Sequence, residues 1–179
     1  MSGLLLRLAV FDERLLHAVV LRRRPLADGF MRGVTHLGDA SVAIGLAGAL
    51  LVGLLPGLEV AGMQAAFTLL ASHLLVQLVK RTISRPRPRM PVGLSSLVEA
   101  PDRFSFPSGH AAASFSVAVP LFFALPMIFG LPILLLGLLV GVSRCYLGVH
   151  YPGDVVAGWS LAGTTLLCER LLLQIPPLV

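Results

Sequence analysis

Residues 131–147 read LPILLLGLLVGVSRCYL, an apolar stretch in which Arg144 is the first charged residue. Its length approaches the roughly 20 mostly apolar residues that a membrane-spanning helix requires. Four more stretches of this kind lie along the chain, at residues 39–58, 62–83, 108–129 and 152–175. Proline and glycine fall at the breaks between them, where helices commonly end. The pattern predicts an all-α, polytopic membrane bundle of five transmembrane helices.

The overall composition agrees with a protein that has lipid as its solvent. Of the 179 residues, 56% are hydrophobic and 13% are charged, and the mean hydropathy is +0.87. A soluble domain carries about 25% charged residues. The high apolar content excludes a disordered chain, and two cysteines are too few for a disulfide-held scaffold. The length fits a single membrane-embedded domain over residues 1–179.

Residues 1–38 differ from the apolar stretches. Ionisable side chains recur between residues 4 and 21: Arg7, Asp12, Glu13, Arg14 and His17. So many ionisable side chains are too costly in a lipid-facing span, whereas an amphipathic helix in the membrane interface tolerates them. We therefore expect residues 1–38 to form an interfacial N-terminal segment. Six transmembrane helices are the alternative, if the first stretch inserts into the bilayer.

The basic residues separate into two clusters. The formal net charge is +5, and most lysines and arginines lie within residues 7–32 or 80–89. Neither cluster interleaves aromatic residues with its cations, as a groove for single-stranded nucleic acid would, which argues against a nucleic-acid partner. Threading the chain through five spans places both clusters on one side, which the positive-inside rule makes cytoplasmic. We expect an integral protein of a bacterial inner membrane, with this polar face toward the cytoplasm.

Three polar motifs fall on that same side although they are far apart in sequence. They are KRTISRPRP at residues 80–88, PSGH at 107–110 and SRCYLGVHYPGD at 143–154. The first motif and Arg89 together place five cations in ten residues, which repel one another unless an anion is present. The acids nearest in sequence are Glu99 and Asp102. A bound phosphate would relieve the repulsion, because arginine offers it a planar fork and lysine a point charge.

The second motif has the pattern of a helix start. Ser108 is expected to cap a helix that begins at Gly109 and has His110 in its first turn. The free N–H groups and the partial positive charge of such a helix end favour an anion. Gly109 lets the ligand come close to the backbone. The cap and an anion site are therefore compatible interpretations of the same residues.

The third motif combines a charge inside a span with a histidine and an acid. Arg144 needs an anionic partner at that depth, and Asp154 is one candidate. Asp154 also follows His150 by four residues, and it can accept the Nδ1–H of that imidazole. This arrangement leaves Nε2 of His150 free to act as a nucleophile.

A polar stripe leads from the second apolar stretch toward the first motif. His73, Gln77 and Lys80 recur at the i, i+4, i+7 spacing of one helix face. We expect this stripe to face the interior of the bundle.

The motifs together resemble those of a known family. K-x6-RP (Lys80, Arg87, Pro88), PSGH (107–110) and SR-x5-H-x3-D (143–154) are similar to the tripartite signature of the type 2 phosphatidic acid phosphatases. That superfamily also includes bacterial acid phosphatases and vanadium haloperoxidases. All three motifs are present in order, and the resemblance covers residues 80–154.

The resemblance implies a helical bundle that hydrolyses a phosphate monoester or diphosphate of a lipid, without metal or other cofactor, through a phosphohistidine. His150 would attack phosphorus, Asp154 would hold and polarise it, and His110 would protonate the leaving oxygen. The phosphate-binding residues would be Lys80, Arg87, Ser108, Gly109 and Arg144. The lipid phosphate and the bilayer would be the partners. Arg85 and Arg89 stand outside the pattern; contact with the substrate headgroup is one interpretation, and we favour a position in the lipid phosphate layer.

Two other functions are compatible with parts of the pattern. A membrane metal-binding or transport protein could use His110, His150 and Asp154 as ligands, but the ring of lysine and arginine would oppose a cation. A vanadate-dependent oxidase on the same scaffold is disfavoured by the small, membrane-embedded chain. The substrate itself stays open among phosphatidate, phosphatidylglycerol phosphate, polyprenyl phosphates or diphosphates, and lipid A phosphate.

Overall fold

The computed structural model describes residues 3–173, and their regular structure is all helical, as predicted. The helices are α1 Gly3–Val20, α2 Pro25–Thr35, α3 Ala40–Leu51, α4 Glu59–Ile83, α5 Gly109–Ala124, α6 Met127–Tyr146 and α7 Pro152–Leu173. A short 3-10 turn, His36–Gly38, joins α2 to α3. The end of the predicted stretch 152–175 lies outside the described residues.

Among residues 3–173, three helices are long and apolar enough to cross a bilayer, namely α4, α6 and α7. Helices α2 and α3 form a pair bent by 53° that passes the same test when taken together, and α5 is a shorter apolar helix of 16 residues. The predicted stretch 39–58 therefore differs from a single straight span. Its helix ends at Leu51, and Gly53 and Gly57 adopt positive φ angles in the turn that follows. The count of five or six spans stays a prediction.

The N-terminal segment forms two helices rather than one continuous helix. The chain leaves α1 after Val20, and Pro25 opens α2, where its fixed φ and missing N–H suit the first helical position. Leu16 and Val20 are fully buried against α5, α6 and α7. This face of α1 is thus packed on the bundle, and its membrane placement stays a prediction.

The core is built around α5, which packs against α4, α6 and α7. Small residues allow this close approach, as in other membrane bundles. A Cβ on Gly137 of α6 would lie 2.6 Å from the Cβ of Ala118, and one on Gly158 of α7 would lie 2.5 Å from the carbonyl oxygen of Ser108. Helix α5 is therefore held at the centre, with its N-terminus fixed beside α7.

The three polar motifs meet at one end of the bundle. That end contains the C-terminus of α4, the N-terminus of α5, the C-terminus of α6 and the N-terminus of α7. Within the connecting segment 84–108, the N–H of Ser105 donates to the carbonyl of Arg85 (2.8 Å), and the N–H of Ser108 ties the segment to this end by donating to the carbonyl of Asp154 (2.9 Å). The topology thus brings together side chains that are up to 74 residues apart in sequence (from Lys80 to Asp154).

Candidate active site

His150 lies at the centre of the site, in the short connection between α6 and α7, and is 1% exposed. Its Nε2 atom is 2.9 Å from Nη1 of Arg87, which also donates to the carbonyl of Val149 at 2.7 Å. A guanidinium can only donate hydrogen bonds, so Nε2 must be the acceptor with a free lone pair. The neutral imidazole therefore carries its proton on Nδ1, and the lone pair on Nε2 has the chemistry of a nucleophile.

Asp154 is completely buried below His150. Its Oδ1 accepts from Nη1 of Arg85 (2.7 Å), and its Oδ2 accepts from the N–H of Tyr151 (2.8 Å). Oδ2 lies 3.6 Å from Nδ1 of His150, beyond hydrogen-bond length but within ionic reach. The predicted Asp154–His150 hydrogen bond is therefore not formed in this structure, because other donors position the carboxylate.

Burial lowers the pKa of His150 to about 4, and the positive charges of Arg87 and Arg144 act in the same direction against the effect of Asp154. At neutral pH the imidazole is therefore uncharged. An uncharged imidazole is the form that can attack phosphorus, since protonation would remove the lone pair on Nε2.

Arg144 is buried near the end of α6, with 2% of its surface exposed. Its Nη1 donates to Oγ1 of Thr35 at 2.8 Å. Within residues 3–173, its Nε and Nη2 atoms have no hydrogen-bond partner. The expected pairing of Arg144 with Asp154 is not found, because Arg85 takes the carboxylate. Buried donors without an acceptor are costly, so the arrangement favours an anionic ligand.

Asp102 bridges the two cations of the first motif. Its Oδ2 is 2.5 Å from Nζ of the buried Lys80, and its Oδ1 is 2.7 Å from Nη2 of Arg87. Burial would raise the pKa of Asp102, but the hydrogen bonds and charges of Lys80 and Arg87 hold it below its usual value. The carboxylate thus supplies the negative charge that the basic cluster requires.

His110, in the first turn of α5, pairs with an acid that the sequence did not single out. Its Nε2 is 2.9 Å from Oδ1 of Asp39, whose Oδ2 is 2.8 Å from Nδ1 of His36. Asp39 lies at the bend between the 3-10 turn and α3. From sequence it was only the first residue of an apolar stretch, so its role depends on a fold that returns α3 to the start of α5.

Ser108 caps α5 as predicted, and its Oγ accepts from the N–H of Ala111 at 3.4 Å. Gly109 follows at the first helical position and lies in the wall of the cavity. A Cβ there would meet only Cγ1 of Val76, at 4.0 Å. The backbone at the start of α5 is thus open to a ligand.

The sequence predicts Arg85 in the lipid phosphate layer, but in the structure two carboxylates bind it instead. It donates to Asp154, forms an ion pair with Asp12 of α1 (2.8 Å), and its Cζ atom stacks 4.0 Å from the ring centre of Tyr151. Asp12 in turn accepts from the N–H of Gly153 at 2.7 Å. Arg85 therefore couples the N-terminal helix to the acid below His150.

The site opens into a cavity of about 780 Å³ between α3 and α4. Lys80, Asp102, His110 and His150 line one end. The walls beyond them are mostly apolar and include Ile44, Ala47, Leu69 and Leu70. The cavity therefore joins a cationic end to a hydrocarbon-like groove, a combination that suits an amphiphile.

A metal centre was the alternative use of the same histidines. Across residues 3–173, no group of three or more histidine, cysteine, aspartate or glutamate side chains is close enough to hold a metal ion. His110 is paired with Asp39, and His150 with Arg87.

Comparison with known proteins gives consistent matches. The family model described as "PAP2 superfamily" matches residues 61–174. Phosphatidylglycerophosphatase B of Bacillus subtilis is 32% identical over 161 residues, covering 84% of this chain and 77% of that protein. Decaprenylphosphoryl-5-phosphoribose phosphatase of Mycobacterium tuberculosis H37Rv is 32% identical over 144 residues, covering 79% and 77%.

A solved structure shares the fold. The crystal structure of a transmembrane PAP2-type phosphatidylglycerolphosphate phosphatase from Bacillus subtilis superposes with a TM-score of 0.78 at 30% identity. The match covers 95% of this chain and 88% of that one.

Proposed function

This chain belongs to the PAP2 superfamily and is a membrane lipid phosphatase, and from that premise we propose how its own residues carry out the reaction. Nε2 of His150 attacks phosphorus, so that an N–P bond forms while the bond from phosphorus to the lipid oxygen breaks. The positive charge that develops on the imidazole is stabilised by the buried carboxylate of Asp154, 3.6 Å from Nδ1. A small movement of the ring toward Asp154 would convert this contact into a hydrogen bond.

His110 serves as the acid and then as the base. It donates a proton to the leaving oxygen, and afterwards it takes a proton from the water that attacks the phosphohistidine and releases inorganic phosphate. The hydrogen bond to Asp39 stabilises the protonated ring of His110, which is the form that donates. Asp39 is thus a positioning residue for this step.

The phosphoryl oxygens bind to the cations and to the start of α5. Arg144 offers its two unpartnered nitrogens, and Lys80 and Arg87 exchange the Asp102 carboxylate for the phosphoryl group. A phosphate dianion carries more charge than a carboxylate, so the exchange is favourable. When Arg87 turns to the phosphoryl oxygens, it releases Nε2 of His150 for attack. Ser108 and the backbone of Gly109 complete the cradle.

The substrate reaches this end of the cavity from the side, with its tail in the apolar groove between α3 and α4. The relatives' names include a phosphatidylglycerophosphatase and a decaprenylphosphoryl-5-phosphoribose phosphatase, which supports a lipid with a terminal phosphate on a polar headgroup. We place the protein in a bacterial inner membrane with the site toward the cytoplasm, on the basis of its basic residues. The reaction as written needs no metal.

The observation that carries this proposal is the 2.9 Å contact between Arg87 and Nε2 of a fully buried His150. The test is release of inorganic phosphate from a panel of lipid phosphates in detergent with EDTA present. His150→Ala should lower the rate by about 10³-fold or more, since the nucleophile is lost. His17→Ala, at a half-buried position of α1 outside the cavity, is the matched control and should retain the wild-type rate. Release that EDTA abolishes, or that His150→Ala leaves intact, would contradict the proposal.

A further inference from the structure

The polar stripe on α4 has no role in the chemistry described above, yet it lines the same cavity. His73 and Gln77 both lie in the cavity wall on α4, N-terminal to Lys80 on the same helix. With a helical rise of 1.5 Å per residue, Gln77 lies about 4.5 Å and His73 about 10 Å from Lys80 along the axis. The stripe therefore runs from the phosphate end of the cavity into the groove.

His73 and Gln77 are polar side chains in an otherwise apolar part of the cavity wall. Leu69, Leu70 and Val76 flank them in the cavity wall, and α4 is one of the helices long and apolar enough to span a membrane. Polar side chains at such a depth are costly and tend to mark a binding site. The ring Nε2 of His73 and the amide Nε2 of Gln77 are 3.4 Å apart, a long contact that leaves donor capacity for a ligand in the groove.

We infer that His73 and Gln77 form a second anion subsite, which binds a phosphodiester group of the lipid one to two helical turns from the phosphate that is hydrolysed. This inference rests on the proposed function, because it assumes that the terminal phosphate is bound at Lys80, Arg87 and Arg144. An imidazole and an amide both donate hydrogen bonds to phosphate oxygens. The occupant is a lipid in which a short polyol joins the terminal phosphomonoester to a phosphodiester on the tail.

The distance between the two subsites distinguishes this class of lipid from lipid diphosphates and from lipids with a single phosphate. In a diphosphate the two phosphorus atoms share one oxygen, so the second phosphate stays beside Lys80 and cannot reach His73. In a lipid with one phosphate attached directly to a diacylglycerol, the subsite would have no anion to bind. A polyol bridge spans the interval between Lys80 and His73 and fills both subsites at once.

The test compares two lipids with identical acyl chains, phosphatidylglycerophosphate and phosphatidate, in mixed micelles. The variants His73→Phe and Gln77→Met, singly and combined, keep the side-chain volume while removing the donors. The double variant should lower the ratio of kcat/KM for phosphatidylglycerophosphate over phosphatidate by about tenfold or more, since hydrogen bonds to a charged group are lost. Leu74→Met, on an exposed side of α4 that does not line the cavity, is the matched control and should leave the ratio unchanged.

A second readout tests binding apart from chemistry. Phosphatidylglycerol, which has the phosphodiester but lacks the terminal phosphate, should inhibit phosphatidate hydrolysis, and the double variant should raise its inhibition constant about tenfold. An unchanged ratio together with an unchanged inhibition constant would overturn the subsite while leaving the proposed function intact. A wild-type chain that hydrolyses other lipid phosphates of the panel but not phosphatidylglycerophosphate would also overturn the subsite. A wild-type chain that releases phosphate from no lipid of the panel would overturn the proposed function itself.

Discussion

Replacing Arg144 by methionine separates a role in ligand binding from a role in stability. Methionine keeps an unbranched apolar stem, although a shorter one, and removes the charge and the donors. In the structure, only Nη1 of Arg144 has a partner among the described residues, Oγ1 of Thr35 at 2.8 Å, and the buried Nε and Nη2 have none. The substitution therefore removes two costly groups and one hydrogen bond from the protein without substrate.

The expected magnitudes follow from these contacts. Each buried donor without a partner costs about 1–3 kcal/mol, against about 1 kcal/mol for the lost hydrogen bond. The hydroxyl of Thr35 can bond instead to a carbonyl of its own helix. The shorter methionine leaves some space unfilled, which offsets part of this gain, so we expect the free energy of unfolding of Arg144→Met to rise by roughly 1–3 kcal/mol in the absence of phosphate. Loss of two hydrogen bonds of about 1.5–3 kcal/mol each to the phosphoryl group should lower kcat/KM by roughly 10²–10⁴-fold.

The assay is thermal unfolding in detergent with and without orthovanadate, together with lipid phosphate hydrolysis. Arg144→Met should unfold at a higher temperature than the wild type in phosphate-free buffer, by about 2–4 °C per kcal/mol, and should lose the stabilisation by vanadate. Arg170→Met, which removes a guanidinium that contacts Gln64 and Phe123, is the control and should retain the vanadate response. A variant that unfolds earlier than wild type and still responds to vanadate would refute the assignment of Arg144 to the phosphate cradle.

Three further substitutions or conditions test other parts of the site. Asp39→Asn should lower kcat by about 10²-fold with little change in KM, because His110 loses the partner of its charged form. A substrate with a good leaving group should restore most of this rate, since it needs no proton from His110. Equal losses of kcat for both substrates would argue against a proton-transfer role. Asp102→Asn should strengthen inhibition by inorganic phosphate about tenfold, since a competing anion is removed from the two cations; weaker inhibition would contradict this. Burial lowers the pKa of His150 to about 4. The value of kcat/KM should therefore persist as the pH falls from 7 to 5 and decline only toward pH 4, where the imidazole becomes protonated. A decline centred near pH 6.5 would mean that the imidazole of His150 is solvated.

Much of the site could be predicted from sequence because its motifs lie at helix ends. Alternating apolar stretches fix which ends share a face, and this placed Lys80, His110 and His150 together without any side-chain geometry. The structure brings these side chains to one end of a cavity. The helix cap at Ser108 could also be predicted, because it depends only on neighbouring residues. The hydrogen bond from the N–H of Ala111 to Oγ of Ser108 confirms it.

Partnerships between distant side chains could not be predicted in the same way. Asp39 and Asp12 lie in segments that showed no family motif, and their roles follow from tertiary packing against His110 and Arg85. Arg85 takes the carboxylate that the sequence had offered to Arg144. Four acids and four cations at this end permit several pairings, and packing selects among them; they are Asp12, Asp39, Asp102, Asp154, Lys80, Arg85, Arg87 and Arg144.

Helix boundaries were also predicted incompletely, because apolar content does not show where a helix ends inside an apolar stretch. Apolar content predicted a span at 39–58, but glycines with positive φ end α3 at Leu51, so the helix is too short to cross a bilayer alone. The bend of 53° between α2 and α3 falls where the 3-10 turn His36–Gly38 ends in the extended backbone of Asp39, and hydropathy does not report it.

The central claim is that Nε2 of His150 forms a covalent bond to phosphorus. The most direct test is rapid acid-free quenching of the protein with a lipid labelled with ³²P at its terminal phosphate, followed by mapping of the labelled peptide. We predict an acid-labile, base-stable label on the peptide that contains His150, and its absence in His150→Ala. A label on another residue, or hydrolysis at the wild-type rate by His150→Ala, would contradict the account.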